Sequence, residues 1–432
     1  MRLGLTEAPL PLLYTDAAMY LGMVHAYLPF AVLPLTATLL RRDLSVEEAA
    51  ADLGASPWVV FRTVTLPLSA PGAAAAFLLV FIPAAGEFVI PGLLGPPDAL
   101  LVGRVLWAEF FQNRDWPLAA ALAVALLALL ILPIRLFQRL EEGGLEGGFA
   151  PFAGSGAAPR DIGVRRLGLI GGLAFLWLPI LLLVGYAFSA DRIPFQWGGF
   201  SLRWFRALAA NERMLEAAWL SLRIAAGAAT LAVLLGGMTG WVLARHGRFH
   251  GKALFGALAG APLVLPEVVT GLSLLLLFVV LQGAAEAAFG WQLGRGAATV
   301  LLAHATLGLA YVAVVVQARL TGLDPALEEA AADLGAGPFT VFRTVTLPLI
   351  APALVAGWLL AFTLSLDDVV VASFVSGPAG TTLPMLVFSQ LRVGLTPEIN
   401  ALAAVILAVA GLLLGLAAAI LGRNGRGGAR AG

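Results

Sequence analysis

The chain has 432 residues, 60% hydrophobic and 12% charged, with zero net charge and a mean hydropathy of +0.92. A water-soluble domain of this size needs far more charge to cover its surface, so the solvent for most of the chain is a bilayer. Zero net charge without a basic block gives no sign of a nucleic-acid partner, and the absence of Cys excludes disulfides and thiolate metal sites.

A span needs about 20 mostly apolar residues to cross the hydrocarbon. Nine such stretches are centred on 17–40, 71–94, 116–138, 168–189, 217–243, 254–281, 298–319, 352–376 and 398–421. They predict an all-α, polytopic transmembrane helix bundle of about nine spans, surrounded by lipid. The opening MRLGLTEAPLPLLY lacks the charged-then-apolar pattern of a signal peptide. If the loops after spans 1, 3, 5, 7 and 9 face the cytoplasm, they hold 16 of the 26 Lys and Arg residues. This orientation puts the C-terminus inside and the N-terminus, as written, outside.

EEAAADLGASPWVVFRTVTLPLSAP at 47–71 recurs as EEAAADLGAGPFTVFRTVTLPLIAP at 328–352, identical at 21 of 25 positions and offset by 281. The three spans around each copy correspond, whereas spans 168–189, 217–243 and 254–281 have no counterpart before residue 17. The expected organisation is a three-span unit at 1–138, a linker at 139–166 and a six-span unit at 167–425. The Gly-, Ala-, Ser- and Pro-rich linker has the composition of a flexible cytoplasmic connector, with a reach of about 30 Å. The first unit matches only the last three spans of the second. Three further spans upstream, a separate polypeptide or a second copy of the chain would complete it.

The repeated segment is polar enough to leave the membrane. Ser45 followed by Glu48 has the pattern of a capping box, and in the second copy Asp324 precedes Pro325 at a first helical position. EEAAADL favours a short helix, Gly54 or Gly335 provides a left-handed stop, and a second helix runs to Pro67 or Pro348. A helix of this kind fits a partner's groove, with alanines buried and carboxylates on the rim. The spacing from Glu48 to Pro67 and from Glu329 to Pro348 resembles the EAA loop of ATP-binding-cassette importer permeases, with Val64 and Val345 where Ile is more usual. The resemblance implies a type I importer permease fold. It also implies that Glu48, Ala49, Ala50 and Gly54, with Glu329, Ala330, Ala331 and Gly335, seat the nucleotide-binding ATPase subunits. No Gly-rich phosphate loop ending in Gly-Lys-Ser/Thr occurs, so the chain is not itself the ATPase. No cofactor or metal is expected on it, and ATP is used by the partners.

Ionisable residues at membrane depth cost about 2.5–3.5 kcal/mol each on insertion scales, which makes each a candidate for function. Glu87 in FIPAAGEFVIPGLLG and Asp368 in TLSLDDVVVASFVSG occupy the same repeat position; Asp367 precedes the latter, and Glu267 lies in APLVLPEVVTG. Carboxylates at a repeat interface suit a cationic solute, with Phe88, Trp107 and Trp204 as cation–π candidates. The other reading places these acids near the outer ends of spans, against water or an Arg such as Arg104 or Arg392. For Glu267 both readings stand equally. His304 sits in a span, where a lone His is more often hydrogen-bonded structure than a ligand or proton relay.

The same segments extend the resemblance. GEFVIPGLLG with GRVLWAEFFQNRDWPLA looks like the first permease subunit of spermidine/putrescine importers. SLDDVVVASFVSGP with TTLPMLVFSQLRVGLTPEINALAAVIL looks like the second. The resemblance implies inward polyamine transport at the plasma (inner) membrane, with an extracellular or periplasmic solute-binding protein as a further partner. It matches Glu87, Glu267, Ser365, Asp367 and Asp368 to the family's acidic motifs. Ala108 stands where first subunits often carry an acid, so Glu109 is the only carboxylate of LWAEFF. Two alternatives are an importer for another cation or small organic solute and a proton-coupled secondary transporter. A secondary carrier has no use for a duplicated ATPase dock, and no Cys or His cluster or nucleophile–base pair suggests an enzyme.

Overall fold

The computed structural model describes residues 13–142, 162–192, 196–247, 249–292, 294–394, 396–409 and 411–412. In the first half these form α1 (Asp16–Arg41), α2 (Leu44–Asp52), α3 (Pro57–Val60), α4 (Leu66–Ala85), α5 (Val89–Leu94), α6 (Val102–Ala108) and α7 (Trp116–Glu142). Next come α8 (Ile162–Ala187), α9 (Arg203–Ala210), α10 (Glu212–Arg245), α11 (Lys252–Val264) and α12 (Glu267–Phe289). The chain continues with α13 (Ala297–Thr321), α14 (Ala326–Asp333), α15 (Pro338–Val341), α16 (Leu347–Asp367), α17 (Val370–Val375), α18 (Leu383–Val393) and α19 (Pro397–Val409). The sequence repeat holds element by element, since α1, α3, α4, α5, α6 and α7 begin 281 residues before α13, α15, α16, α17, α18 and α19. The described residues contain eight helices long and apolar enough to span a membrane. The ninth expected span is represented by α19, and its remainder beyond 412 lies outside the described residues. So does most of the expected linker: α7 takes residues 139–142, α8 begins at 162, and 143–161 are not described.

Three local expectations are corrected. The stretch 254–281 is not one span, because Pro266 forces Leu265 into an extended conformation (φ −80°, ψ 136°) and separates α11 from α12. With 23 residues, α12 alone rises about 34 Å, enough to cross. Pro67 and Pro348 do not end their helices. Proline has no N–H for the carbonyl four residues back and would clash with it, so the chain forms a π-helical turn first, at Phe61–Thr65 and again at Phe342–Thr346. The N–H groups of Leu66 and Leu347 then reach the carbonyls of Phe61 and Phe342, and helix runs continuously through Pro57–Ala85 and Pro338–Asp367. Finally, the stretches 71–94 and 352–376 each break at an elbow, after Ala85 and after Asp367, before the short helices α5 and α17.

The chain packs as two compact units that do not follow the sequence halves. One comprises Met1–Ala158 with Leu220–Thr382, the other Pro159–Trp219 with Leu383–Gly432. In the first, α1 lies along α4, α13 lies along α16, and α13 is the most buried of the spans. Lipid is as apolar as Leu, so helices associate there through close backbone approach. A Cβ on Gly236 or Gly240 of α10 would come within 2.6 Å of the Leu309 or Ala313 carbonyl oxygen of α13. Gly308 meets Ala232 and Ala361, and around these residues pack Val312, Val316, Leu320 and Ile350. In the second unit, Trp204, Leu208, Met214, Ala217, Leu383, Leu386, Ala401 and Leu402 form the core.

Candidate translocation site and docking loops

Each repeated loop folds as a helix, a glycine turn and a helix. Gly54 (φ +86°) and Gly335 (φ +85°) take the left-handed conformation expected of them. The expected Ser45–Glu48 capping box does not form. The helix begins two residues earlier, at Leu44 with Asp43 as its cap, and Asp43 Oδ1 accepts from the Ser45 N–H at 2.9 Å. Asp324, its repeat equivalent, accepts from the Ala326 N–H at the same distance. The exposed Asp43 carboxyl is held below the usual carboxylate range by these bonds from Ser45. Glu48 and Glu329 are exposed, as are Ala49, Gly54, Ala330 and Gly335, while Ala50 and Ala331 are half-buried. Beside them Leu53 and Leu334 are each 90% exposed, and Trp58 and Phe339 also stand clear. Two matched apolar-and-acidic surfaces result.

The other glutamate of each pair turns inward, which the motif alone does not indicate. Glu47 accepts from Thr65 and pairs with Arg42; Glu328 accepts from Thr346 at 2.6 Å and pairs with Arg245 of α10 at 2.9 Å. Glu47/Glu328 and Thr65/Thr346 are each 281 residues apart, so the repeat offset is the signal that singles them out. The arginines are not repeat equivalents.

The membrane-depth carboxylates lie together in the first unit, in two distinct settings. Glu87 Oε1 accepts from the N–H groups of Val89 (2.7 Å) and Ile90 (3.2 Å), and Oε2 accepts from the Tyr27 hydroxyl of α1 at 2.6 Å. Asp368 accepts from the N–H groups of Val371 (3.2 Å) and Ala372 (2.7 Å) and contacts His304 Nε2 of α13 at 2.9 Å. Both acids therefore cap the short helix after an elbow and fasten it to the helix that opens their repeat, α1 or α13. His304 Nδ1 in turn lies 2.6 Å from Ser365 Oγ, and Ser365, His304 and the Asp368 side chain are all buried. Both ring nitrogens of His304 are therefore hydrogen-bonded, as a lone helix His suggests.

Glu267 and Asp367 differ: both side chains are exposed, and neither forms an ion pair among the described residues. Asp368, Asp367 and Glu87, and the phenols of Tyr27 and Tyr311, lie within electrostatic range of Glu267. Its position at the first turn of α12 places it at the positive end of that helix. The repeat equivalent of Asp367 is Gly86, where a Cβ would lie 2.8 Å from Pro266, next to Glu267. Glu267 thus sits where the two halves meet.

The suggested arginine partners are engaged elsewhere or unpaired with these acids. Arg104 donates to the carbonyls of Pro96 (2.6 Å) and Pro97 (2.9 Å), and Arg392 lies over the Phe388 ring. Glu109 accepts from Asn113 at 2.9 Å. Phe88 is buried and stacked on Trp107 at 3.9 Å between centroids, and Trp107 also meets Phe374 edge-on. Trp204 belongs to the second unit's core, where its indole N–H donates to the Ser189 carbonyl at 2.8 Å and Arg203 covers its ring. Of the three aromatic candidates only Trp107 is half-buried rather than buried.

The family described as "Binding-protein-dependent transport system inner membrane component" matches residues 11–143 and 232–424. The putrescine transport system permease protein PotI of Escherichia coli K12 is 54% identical over 245 residues, covering 57% of this chain and 86% of that protein. The spermidine/putrescine transport system permease protein PotC of the same organism is 41% identical over 251 residues, covering 58% and 90%. The spermidine/putrescine transport system permease protein PotB of Haemophilus influenzae is 41% identical over 140 residues, covering 32% and 49%. All three are permease proteins, transport components rather than enzymes. With its repeated spans and a match over most of its length, the chain belongs to the family of inner-membrane components of binding-protein-dependent transport systems.

Proposed function

We propose that the chain is the permease of an importer that moves polyamines inward, with Glu267 and Asp367 as the carboxylates that meet the solute. The carrying observation is that these two acids, alone among the four at membrane depth, are exposed and neither cap a following helix with their side chains nor form an ion pair among the described residues. Mutually repelling carboxylates in such a setting favour a mobile cation, and two acids on different helices suit one with separated ammonium groups. The putrescine and spermidine/putrescine permeases among the relatives support this solute class.

The two loops at 45–67 and 326–348 dock nucleotide-binding ATPase subunits on the cytoplasmic side, which also holds the C-terminus. A solute-binding protein delivers solute on the opposite face. The chain binds no cofactor, and its partners hydrolyse the ATP. Uptake of labelled spermidine and putrescine into vesicles containing the ATPase and binding protein tests the proposal. Asp367→Asn and Glu267→Gln should each reduce uptake strongly at equal protein level. Undiminished uptake in both would refute the assignment.

A further inference from the structure

We infer that His304 is a positioning residue for transport: it latches the α16–α17 elbow and thereby fixes Asp367, one residue from its own partner Asp368. The inference rests on the reading of Asp367 as a solute-facing carboxylate.

The two elbows are built alike. In each, the acid at the repeat-equivalent position caps the short helix with two backbone N–H bonds and takes a third bond from the helix that opens its repeat. The third donor is not equivalent. Tyr27 corresponds in register to Gly308, and His304 to Met23, one helical turn away. Different side chains from neighbouring turns thus reach the same point, which is the mark of a required contact rather than an inherited residue.

Polar satisfaction assigns the tautomer. Asp368 has only acceptors to offer, so Nε2 carries a proton and donates to it, and in the neutral ring Nδ1 accepts from the Ser365 hydroxyl. The chain Ser365–His304–Asp368 ties α13 to both sides of the elbow, at 365 and at 368. Asp367 lies between those two ties and is itself exposed. In the first half the residue at that position is Gly86, which has no side chain to orient. The latch around Asp368 therefore sets the place of a charge, whereas the latch around Glu87 sets only backbone.

Isosteric replacements separate the two bonds of His304. Gln presents a donor near the Nε2 position and keeps the bond to Asp368; Asn presents one near Nδ1 and loses it. Losing a charge-assisted bond of this kind should raise the KM for spermidine uptake about tenfold in His304→Asn, with Vmax per inserted protein nearly unchanged. His304→Gln should stay close to the parent KM. Equal KM changes in both variants would overturn the inference, because a purely structural residue would not distinguish them.

A second measurement does not depend on the identity of the solute. The chain has no cysteine, so Asp367→Cys introduces the single thiol. Its labelling rate by a positively charged methanethiosulfonate reagent should change when His304→Asn is added and not when His304→Gln is added. Should His304→Asn fail to insert, Ser365→Ala, which frees Nδ1, is expected to shift the labelling rate in its place. An unchanged rate in every inserted variant overturns the latch. The expected labelling pattern without saturable spermidine uptake sinks the polyamine reading while supporting the latch.

Discussion

Thr346 Oγ1 donates to Glu328 Oε1 at 2.6 Å, and 281 residues earlier Thr65 makes the same bond to Glu47. In both copies the acceptor is on the loop helix and the donor is in the π-helical turn that leads into a span. The bond therefore joins the exposed surface of the loop to the helix that ends at an elbow. Thr346 is 2% exposed, so replacing it with Val deletes the hydroxyl at nearly constant volume and leaves the loop held by the Arg245–Glu328 pair. Thr65→Val with Thr346→Val should lower stability by about 1 kcal/mol per site. It should also raise the ATP hydrolysed per solute transported. Thermal unfolding of the purified complex and a coupled uptake assay check both; an unchanged ratio would mean that the bond carries no coupling.

The outer faces of the same loops give a second expectation. Leu53 and Leu334 are 90% exposed, and Glu48 and Glu329 stand beside them. A large exposed apolar side chain within an acidic rim fits a partner's groove better than water. Leu53→Asp with Leu334→Asp, or Glu48→Arg with Glu329→Arg, should abolish co-purification of the ATPase subunit. Membrane insertion should be unaffected, because these side chains are exposed in the folded chain. Retained ATPase binding in both double variants would contradict the docking assignment.

Close helix approach gives a third. A Cβ on Gly240 would lie 2.6 Å from the Ala313 carbonyl oxygen, a backbone atom that cannot rotate aside, whereas a Cβ on Gly260 meets nothing within 4 Å. Gly240→Ala should cost about 1–3 kcal/mol through overpacking of α10 on α13. Gly260→Ala should cost nothing. Melting temperatures of the two variants in detergent provide the comparison, and equal values would contradict this packing.

The spans and the repeat were legible because both are written in local composition: apolar length for one, near-identity at a fixed offset for the other. Features set by a single proline or cap were harder. Ser45 and Glu48 match a capping box, yet Asp43 lies two residues ahead of Ser45 and meets its N–H first. The break at Pro266 hides in an apolar run whose one charge is Glu267. The acids show the sharper limit. The offset correctly paired Glu87 with Asp368, but symmetry of position says nothing of what a carboxylate bonds. The third donors, Tyr27 and His304, are 60 and 64 residues away and out of register with each other. Glu267, which has no repeat partner, could be placed against Gly86 only through the packing of Pro266.

That difference of setting divides the acids in a final experiment. Glu87 spends its lone pairs on two N–H groups and a phenol, so its carboxylate maintains the elbow between α4 and α5. Truncation in Glu87→Ala removes a cap, worth about 0.5–2 kcal/mol, and leaves the Tyr27 hydroxyl without its acceptor. Asp367 caps no following helix and is exposed, so Asp367→Ala removes charge with little loss of structure. The expected result is a crossed pattern. Glu87→Ala lowers the melting temperature, and the protein that stays folded retains part of its uptake. Asp367→Ala melts like the parent and loses most of its uptake. Thermal unfolding followed on purified protein, paired with labelled-polyamine uptake normalised to inserted protein, reads both axes. If the two variants lose stability and uptake in the same proportion, the division of these acids into a fastening pair and a solute-facing pair is wrong.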